Sequence, residues 1–283
     1  MTIGIVGMGY VGTALKEGFT NYYKVETYDL DSSLSSCDSI DDLISKVQII
    51  FVCVPTPMNK NGSCDLSIVE NIIDKINCCI EAKSDKIVII KSTIPPGTTE
   101  ELNNKYQNFN IIFNPEFLTE ANFIEDFKNQ KRIILGGSKV ITDKVKEIYI
   151  KIFPEAKIVE TGSTYAEMVK YFSNTFLATK VSFANEMKMI CDKLDIDYDK
   201  VVEYAIYDDR LGKTHWSVPG PDGKLGFGGS CFPKDINALI HCASELGLDT
   251  QLIKSAWNLN LKVRPEKDWE ELKGRAVTKK TDS

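Results

Sequence analysis

Apolar residues in the first half of the chain come in short runs, separated by segments in which apolar positions recur at helical spacing. Several runs are apolar throughout instead of alternating, which is typical of parallel strands covered on both faces. The segments between them, such as 66–80 and 142–153, have the spacing of helices. We therefore expect an α/β fold with a doubly wound parallel sheet over residues 1–161. The predicted strands are Thr2–Val6, Lys24–Tyr28, Gln48–Val54, Lys86–Ser92, Asn110–Phe113, Arg132–Leu135 and Lys157–Val159.

The pattern changes after residue 162. No Gly or Pro occurs from Thr164 to Leu194, and apolar residues recur there in steps of three and four. This predicts one amphipathic helix of about 45 Å at 1.5 Å per residue, with a capping box formed by Thr164 and Glu167 at its start. Such a helix is too long for one layer over the sheet, so we expect it to be the spine of a mainly helical central domain over 162–264. Further predictions are helices over 198–206 and 233–246, a Pro/Gly-rich loop over 212–230 and a polar tail over 265–283.

Composition excludes several classes of protein. The chain has 283 residues, of which 43% are apolar, and 34 basic against 40 acidic residues give a net charge of −6. A nucleic-acid-binding protein needs a basic surface, so we expect no nucleic-acid partner. The longest apolar stretch, Ile49–Val54, is far too short to span a membrane, and the N-terminus has no signal-peptide pattern. These features predict a cytoplasmic protein without membrane contact.

Cysteine and histidine usage narrows the chemistry. The eight cysteines include no C-x-x-C pair, and most are expected to be small buried hydrophobic residues. His215 and His241 are the two histidines, too few for a histidine-rich metal site, so we expect no metal and little support for a histidine-based triad.

A glycine-rich turn follows the first predicted strand. Gly7, Gly9 and Gly12 form G-x-G-x-x-G between a strand and a helix, and Asp29 ends the second strand 22 residues after Gly7. In this context the glycines allow a tight turn, approach of a pyrophosphate and close helix packing, and the carboxylate binds ribose hydroxyls. No arginine occurs between Asp29 and Arg132 to bind a 2′-phosphate. We therefore expect a Rossmann-like domain binding NAD; the alternative is a structural turn with incidental glycines.

A second glycine-rich segment precedes a helix and contains a cysteine. It runs from Gly226 to Asp235, and Cys231 lies one residue before the expected N-cap, Phe232, with Pro233 at the first helical position. The helix dipole and Lys234 would both lower the pKa of the thiol. An activated thiol beside a nicotinamide suggests oxidation of an aldehyde through a thiohemiacetal to a thioester. The alternative is a buried structural cysteine.

Six ordered blocks make the chain similar to the nucleotide-sugar dehydrogenases, the UDP-glucose and GDP-mannose dehydrogenases. The resemblance covers residues 2 to about 265 and implies oxidation of a sugar C6 alcohol to the acid in two NAD-dependent steps. UDP-glucose is the substrate that we expect, with UDP-glucuronate as the product. A homodimer formed through the long helix is also implied. The blocks are Gly7–Gly12, Val54–Pro57, Ser92–Gly97, Asn114–Glu120, Glu167–Asn174 and Gly226–Asp235.

The resemblance also implies roles for individual residues. Cys231 would be the nucleophile, Lys170 and Asn174 would stabilise the oxyanion and hold a water, Asp235 and Thr93 would orient that water, and Glu120 would be the general acid/base. Without the resemblance, the pair Lys170–Asn174 and the pair Glu116–Glu120 would more often be solvated side chains. The residues expected to bind the cofactor are Gly7, Gly9, Tyr10, Val11, Gly12, Asp29, Thr56, Thr93 and Lys234. Those expected to bind the substrate are Glu116, Phe117, Leu118, Lys170, Asn174, Arg210, Phe227 and Gly228.

Two features depart from the family pattern. The loop 219–226 is a few residues longer than usual, and the segment 271–277 resembles the approach to a third, nucleotide-binding domain, after which the sequence stops. Two alternatives therefore stay open. One is a shortened NAD-binding relative without turnover that regulates or assembles with a full-length enzyme. The other is a simple hydroxyacid dehydrogenase, which the cysteine loop disfavours.

Overall fold

The computed structural model describes residues 1–80 and 82–279 and divides the chain into two compact units. The first unit comprises Met1–Thr56 and Leu66–Lys170. The second comprises Pro57–Asp65 and the chain from Tyr171 onward. The last four residues of the expected polar tail, 280–283, lie outside the described residues.

A seven-stranded sheet with the order β2-β1-β3-β4-β5-β6-β7 forms the centre of the first unit. The prediction of a doubly wound sheet is confirmed, and each predicted strand is present, with ends that differ by at most two residues. One aspect was wrong: β5 and β6 are antiparallel, pairing through Phe113 and Gly136, so that β6 and β7 run against the other strands. The strands are β1 (Thr2–Val6), β2 (Lys24–Tyr28), β3 (Ile49–Val52), β4 (Ile87–Ile90), β5 (Asn110–Phe113), β6 (Arg132–Gly136) and β7 (Lys157–Thr161).

Both faces of this sheet are buried, which explains the uninterrupted apolar runs. Along β3, Ile50 and Val52 contribute to one hydrophobic cluster, and Ile49 and Phe51 contribute to another. Successive side chains of a strand point to opposite faces, so a strand covered on both sides needs an apolar residue at every position.

The helices agree with the predicted periodicity, and the long helix is present. Residues 163–170 of that helix, α7, belong to the first unit, and the remainder belongs to the second. The helices are α1 (Tyr10–Phe19), α2 (Ile40–Lys46), α3 (Ser67–Cys78), α4 (Thr98–Lys105), α5 (Phe123–Lys128), α6 (Lys139–Ile152), α7 (Ser163–Lys193), α8 (Tyr198–Ala205), α9 (Cys231–Glu245) and α10 (Gln251–Val263).

The capping box predicted at the start of α7 is wrong. Helix α7 already begins at Ser163, so Thr164 lies inside its first turn. The Glu167 carboxylate accepts hydrogen bonds instead from the backbone N–H of Gly97 (2.6 Å) and from the N–H of Thr99 (2.9 Å). These are unpaired donors at the start of α4, so the fully buried Glu167 caps a neighbouring helix rather than its own.

Two smaller hydrophobic clusters hold the second unit together. In one, Ala178 of α7 packs with Phe227, Ile236 of α9 and Ala256 of α10. The other joins α7 and α8 with the loop that contains Val218. Within the described residues, every helix is too short or too polar to cross a membrane.

Candidate active site

The glycine-rich turn has the geometry that its sequence predicts. Gly7 has φ +90°, and a Cβ there would lie 2.7 Å from the carbonyl oxygen of Cys53. A Cβ on Gly12 would lie 1.9 Å from the carbonyl oxygen of Gly7, so a larger residue at either position would collide with backbone. The space around Gly9 is open to 4 Å. The turn is therefore tight at its base and accessible at the glycine expected to face a pyrophosphate.

Asp29 stands beside this turn at the end of β2. Its Oδ2 accepts a hydrogen bond from the backbone N–H of Met8 (2.6 Å), and its Oδ1 accepts one from that of Asp31 (2.9 Å). Two backbone donors thus orient the carboxylate at the position where a dinucleotide fold binds ribose hydroxyls. This carboxylate and the open space at Gly9 fit an NAD molecule. Of the other expected cofactor residues here, Tyr10 packs against Phe123, with ring centroids 5.0 Å apart and ring planes tilted by 46°.

Two buried threonines connect the ends of β3 and β4. The Thr56 hydroxyl donates a hydrogen bond to the carbonyl oxygen of Thr93 (2.8 Å), and both residues are buried. They lie at the carboxyl edge of the sheet, where ligands of open α/β folds bind. The structure therefore brings together the two threonines expected near the cofactor.

A buried ion pair joins Glu116 and Lys170. The Lys170 Nζ lies 2.9 Å from Glu116 Oε1 and also donates to the Glu116 carbonyl oxygen (2.7 Å), and Glu116 Oε2 accepts from the backbone N–H of Leu118 (2.7 Å). Only 3% of the Lys170 side chain is exposed. Burial alone would raise the pKa of Glu116, but Lys170 and the Leu118 N–H outweigh it and lower the pKa. Glu116 is therefore ionised and fixes the ammonium group of Lys170.

The aromatic ring of Phe117 extends this group. The guanidinium carbon of Arg132 lies 4.1 Å from the ring centroid, and Lys170 Nζ lies 5.6 Å from it. Both distances are in the range of cation–π contacts. Glu120 follows in the turn after this segment and is half-buried.

The sequence reasoning missed a second buried lysine near Glu116. Lys91, just after β4, donates to the Asn114 carbonyl oxygen (3.1 Å) and to Asn114 Oδ1 (2.9 Å), and it is 4% exposed. Burial lowers the pKa of Lys91 to about 8, partly opposed by the negative charge of Glu116. The sequence carries no clear signal for this burial, because it depends on Asn114, which lies 23 residues further along the chain.

Cys231 lies at a helix start, but not as predicted. The N-cap of α9 is Ser230, and Cys231 is the first helical residue, so Phe232 is not the N-cap and Pro233 is the third helical residue. Proline is tolerated there because the first turn of a helix has no internal acceptors for its N–H groups. The thiol is half-buried and lies 3.8 Å from the Ser230 hydroxyl. Each of the eight cysteines, all within the described ranges, carries a thiol and not a disulfide.

Asp235 joins two of the other expected residues within the second unit. Its Oδ2 accepts from the Asn174 side-chain amide (2.6 Å), and its Oδ1 accepts from Lys234 Nζ (2.5 Å). Asp235 is 1% exposed. Burial would lower the pKa of Lys234, but Asp235 and then Cys231 raise it above its ordinary value. Lys234 therefore stays protonated near neutral pH.

The remaining expected substrate residues lie in two loops. Phe227 and Gly228 are in the glycine-rich loop before Cys231, where Phe227 is buried against Trp257, with ring centroids 6.1 Å apart. Arg210 lies on the exposed turn Asp209–Leu211, where it pairs with Asp208 (2.5 Å) and is 89% exposed. Among the described residues, no cluster of three or more His, Cys, Asp or Glu side chains could hold a metal ion.

Comparison with known proteins identifies the family. Residues 23–153 match the NAD binding domain of the UDP-glucose/GDP-mannose dehydrogenase family, and residues 164–262 match its central domain. The chain therefore belongs to the UDP-glucose/GDP-mannose dehydrogenase family and carries its NAD-binding domain.

Relatives and solved structures agree with this assignment. The chain is 38% identical over 228 residues to UDP-glucose 6-dehydrogenase of Rickettsia bellii, a match that covers 78% of this chain and 51% of that protein. It is 30% identical to UDP-glucose 6-dehydrogenase AglM of Haloferax volcanii, covering 92% and 69%. A UDP-glucose dehydrogenase structure from Pyrobaculum islandicum superposes with a TM-score of 0.85 at 31% identity, covering 96% and 70%. The chain thus spans about half the length of the Rickettsia relative.

Proposed function

We propose that this chain is an NAD-dependent nucleotide-sugar 6-dehydrogenase that converts UDP-glucose to UDP-glucuronate. The observation that carries the proposal is the group around Cys231: a thiol at the start of α9, followed within four residues by the buried pair Lys234–Asp235, to which Asn174 is bonded. A dehydrogenase that stops at a ketone or aldehyde has no need of an activated thiol. UDP-glucose is the sugar nucleotide named for the relatives from Rickettsia and Haloferax.

The thiol acts in the second half of the reaction. NAD, when bound, accepts one hydride from the sugar carbon in each of the two oxidations. After the first, the Cys231 sulfur adds to the aldehyde carbon, forming a C–S bond, and the former carbonyl oxygen becomes the hydroxyl of a thiohemiacetal. Loss of a hydride and a proton from this adduct gives the thioester. Water then adds its oxygen to the thioester carbon as the C–S bond breaks, which releases the carboxylate. One proton of the water returns to the thiol and the other is released to solvent.

Charged and amide groups on α7 stabilise the oxygen that carries negative charge in these steps. Lys170 is held by Glu116, and Asn174 by Asp235, so each donor is fixed before the substrate binds. Lys170 and Asn174 are four residues apart on one helix and therefore share a face. Asp235 and Thr93 orient the hydrolytic water, and Glu120 moves the proton of the sugar hydroxyl.

The binding groups have separate tasks. Gly7, Gly9, Gly12 and Asp29 hold the cofactor, with Tyr10, Val11, Thr56 and Thr93 bordering it. Phe227 and Gly228, in the loop before Cys231, border the substrate. Phe117 and Leu118 position the Glu116 side chain. The positively charged guanidinium group of Arg210 binds the diphosphate of the substrate.

The test is NADH formation by the purified chain with a panel of UDP- and GDP-sugars, followed at the nicotinamide absorbance with limiting sugar. We expect two NADH for each UDP-glucose consumed, and glucuronate as the product. One NADH per sugar would instead support a simple alcohol dehydrogenase. NAD binding without turnover of any sugar would refute the proposal and favour a regulatory or assembly role.

We also propose that the chain forms a homodimer through α7. Three aromatic side chains on its second-unit portion are exposed: Phe172 (66%), Phe176 (60%) and Phe183 (49%). A row of exposed aromatic residues on one helix marks an interaction surface. The predicted result is a dimer in sedimentation velocity and a monomer for the double variant Phe172→Glu/Phe176→Glu. Tyr207→Glu, which changes another exposed aromatic residue, should leave the dimer intact, and a monomeric unmodified chain would overturn the proposal.

The thiol state of all eight cysteines supports a further proposal, that the chain works in a reducing compartment such as the cytoplasm. Two of these thiols, those of Cys37 and Cys191, are buried as core residues, so the expectation that most cysteines are buried was wrong: Cys78 is exposed and the other five are partly buried. Oxidation of the proposed nucleophile would also block the reaction.

A further inference from the structure

The loop that leads to Cys231 is fastened to the rest of the second unit by side chains. The backbone N–H of Phe227 donates to Asn260 Oδ1 (2.7 Å), and the Asn260 amide donates back to the Phe227 carbonyl oxygen (2.9 Å). The N–H of Gly226 donates to Asn185 Oδ1 (3.0 Å). Both asparagines are buried, so these bonds replace the water that would otherwise solvate the loop backbone.

Arg264, directly after α10, binds the same loop at several points. Its Nη2 lies 2.5 Å from Asp222 Oδ2, its Nη1 donates to the Leu225 carbonyl oxygen (3.2 Å), and its Nε lies 2.6 Å from Asp268 Oδ1. The other oxygen of Asp268 accepts from the N–H of Gly229 (3.2 Å). With its side chain only 2% exposed, Arg264 thus connects residues before and after the segment 226–228.

Gly228 lies directly against this arginine. A Cβ at residue 228 would be 2.4 Å from Arg264 Nη2 and 2.5 Å from Asp268 Oδ1. The guanidinium group therefore occupies the space beside the Gly228 backbone, and the path of the loop depends on where that group sits. Asp222 belongs to the extended part of the loop, 219–226, so the additional residues supply one of the two carboxylates that hold Arg264.

We propose that Arg264 is a positioning residue for the sugar nucleotide: together with Asp222 and Asp268 it holds the 226–229 backbone in its binding conformation. The inference rests on the proposed function, in which Phe227 and Gly228 bind the substrate. A loop that is already ordered binds its ligand more tightly, because no conformational entropy of the loop is lost on binding. The side chains of Arg264, Asp222 and Asp268 thus form a clamp on the loop. The clamp determines the affinity for the sugar nucleotide and leaves the rate of the chemical steps at saturating substrate unchanged.

Two variants test the clamp. Asp222→Ala removes the half-exposed carboxylate and leaves the core intact, and Arg264→Lys keeps the charge but loses the planar fork that reaches three acceptors. In both we expect backbone hydrogen exchange over 226–229 to become roughly tenfold faster. The dissociation constant for UDP-glucose, measured by calorimetry, should rise about fivefold to tenfold, with kcat unchanged. A purely structural role would lower the active fraction, and so kcat, without raising the dissociation constant.

The control is Glu266→Gln, which removes the partner of Lys224 in the same loop. That pair is 3.8 Å apart and its side chains are 45% and 43% exposed, so its loss should alter neither exchange nor affinity. Unchanged exchange in both test variants would overturn the clamp. Faster exchange with unchanged affinity would overturn its role in binding.

The measurements of hydrogen exchange and of UDP-glucose affinity test the clamp independently of the proposed activity. If the unmodified chain binds UDP-glucose but produces no NADH, the proposed activity fails, while exchange and affinity still decide the clamp. If the unmodified chain does not bind UDP-glucose, the role of the clamp in substrate binding is refuted as well.

Discussion

Replacing Cys231 with alanine is expected to lower formation of UDP-glucuronate by about a thousandfold or more. Without the sulfur, the aldehyde has no covalent adduct from which the second hydride can leave, and the thioester cannot form. Alcohol oxidation can still pass one hydride, but its product returns to the alcohol. NADH formation with limiting UDP-glucose should therefore fall from two per sugar to a trace.

The matched control is Cys242→Ala. Cys242 lies in the last turn of the same helix, α9, and is half-buried, and burial raises the pKa of its thiol. It therefore lacks the position at the helix start that we propose activates Cys231. Its replacement should leave the rate within about twofold. Full two-step turnover by Cys231→Ala would rule out the thiol mechanism, because both oxidations would then proceed without the sulfur.

The fold was largely predictable because a strand that is buried on both faces of a sheet needs an apolar residue at every position, and such runs are visible in the sequence. Each residue of Ile49–Val52 packs on one face or the other, so the run is apolar throughout. The reversal of β6 was not predictable in this way. A hydrophobic pattern is the same read in either direction, and the antiparallel junction rests on the single pair Phe113–Gly136.

The candidate site was predictable where chemistry constrains a local motif. The collisions that a Cβ would cause at Gly7 and Gly12 are consequences of the turn itself, so sequence and geometry agree. The start of α9 was predicted two residues too late, because proline is favoured at the first helical position. In the structure Ser230 is the N-cap and Pro233 is the third helical residue. The error moves Cys231 from the residue before the N-cap to the first helical residue, and it leaves Cys231 at the N-terminus of the helix.

Residues that support the site through tertiary contacts were the part that sequence could not reveal. Glu167 has the spacing of a capping box, and only the fold shows that its carboxylate instead binds the start of α4. Lys91 and Arg264 are charged residues that would ordinarily be exposed, and each is buried because of partners distant in the sequence, such as Asn114 for Lys91. Such partners become visible only when the strands and helices are assembled.

Replacing Lys170 with methionine is expected to destabilise the protein by about 3 kcal/mol as well as to abolish turnover. The substitution leaves the Glu116 carboxylate largely buried, with 10% of its side chain exposed, and without the ammonium group that bonds it at 2.9 Å. Removing one partner of a buried pair is costly because the other charge has lost its hydration. Urea unfolding measures the loss of stability, and NADH formation measures the loss of activity.

A control and a double variant separate the structural and catalytic effects. Lys188→Met, on the same helix, removes an i,i+4 partner from Asp192 in a pair whose side chains are 32% and 57% exposed, and should cost less than about 0.5 kcal/mol. Lys170→Met/Glu116→Gln should be more stable than Lys170→Met alone, since the amide that replaces the carboxylate carries no charge, yet it should stay inactive because the oxyanion still lacks its cation. Recovery of activity in the double variant would show that Lys170 serves only to neutralise Glu116. A Lys170→Met protein as stable as the unmodified chain would show that the buried pair does not hold the fold together.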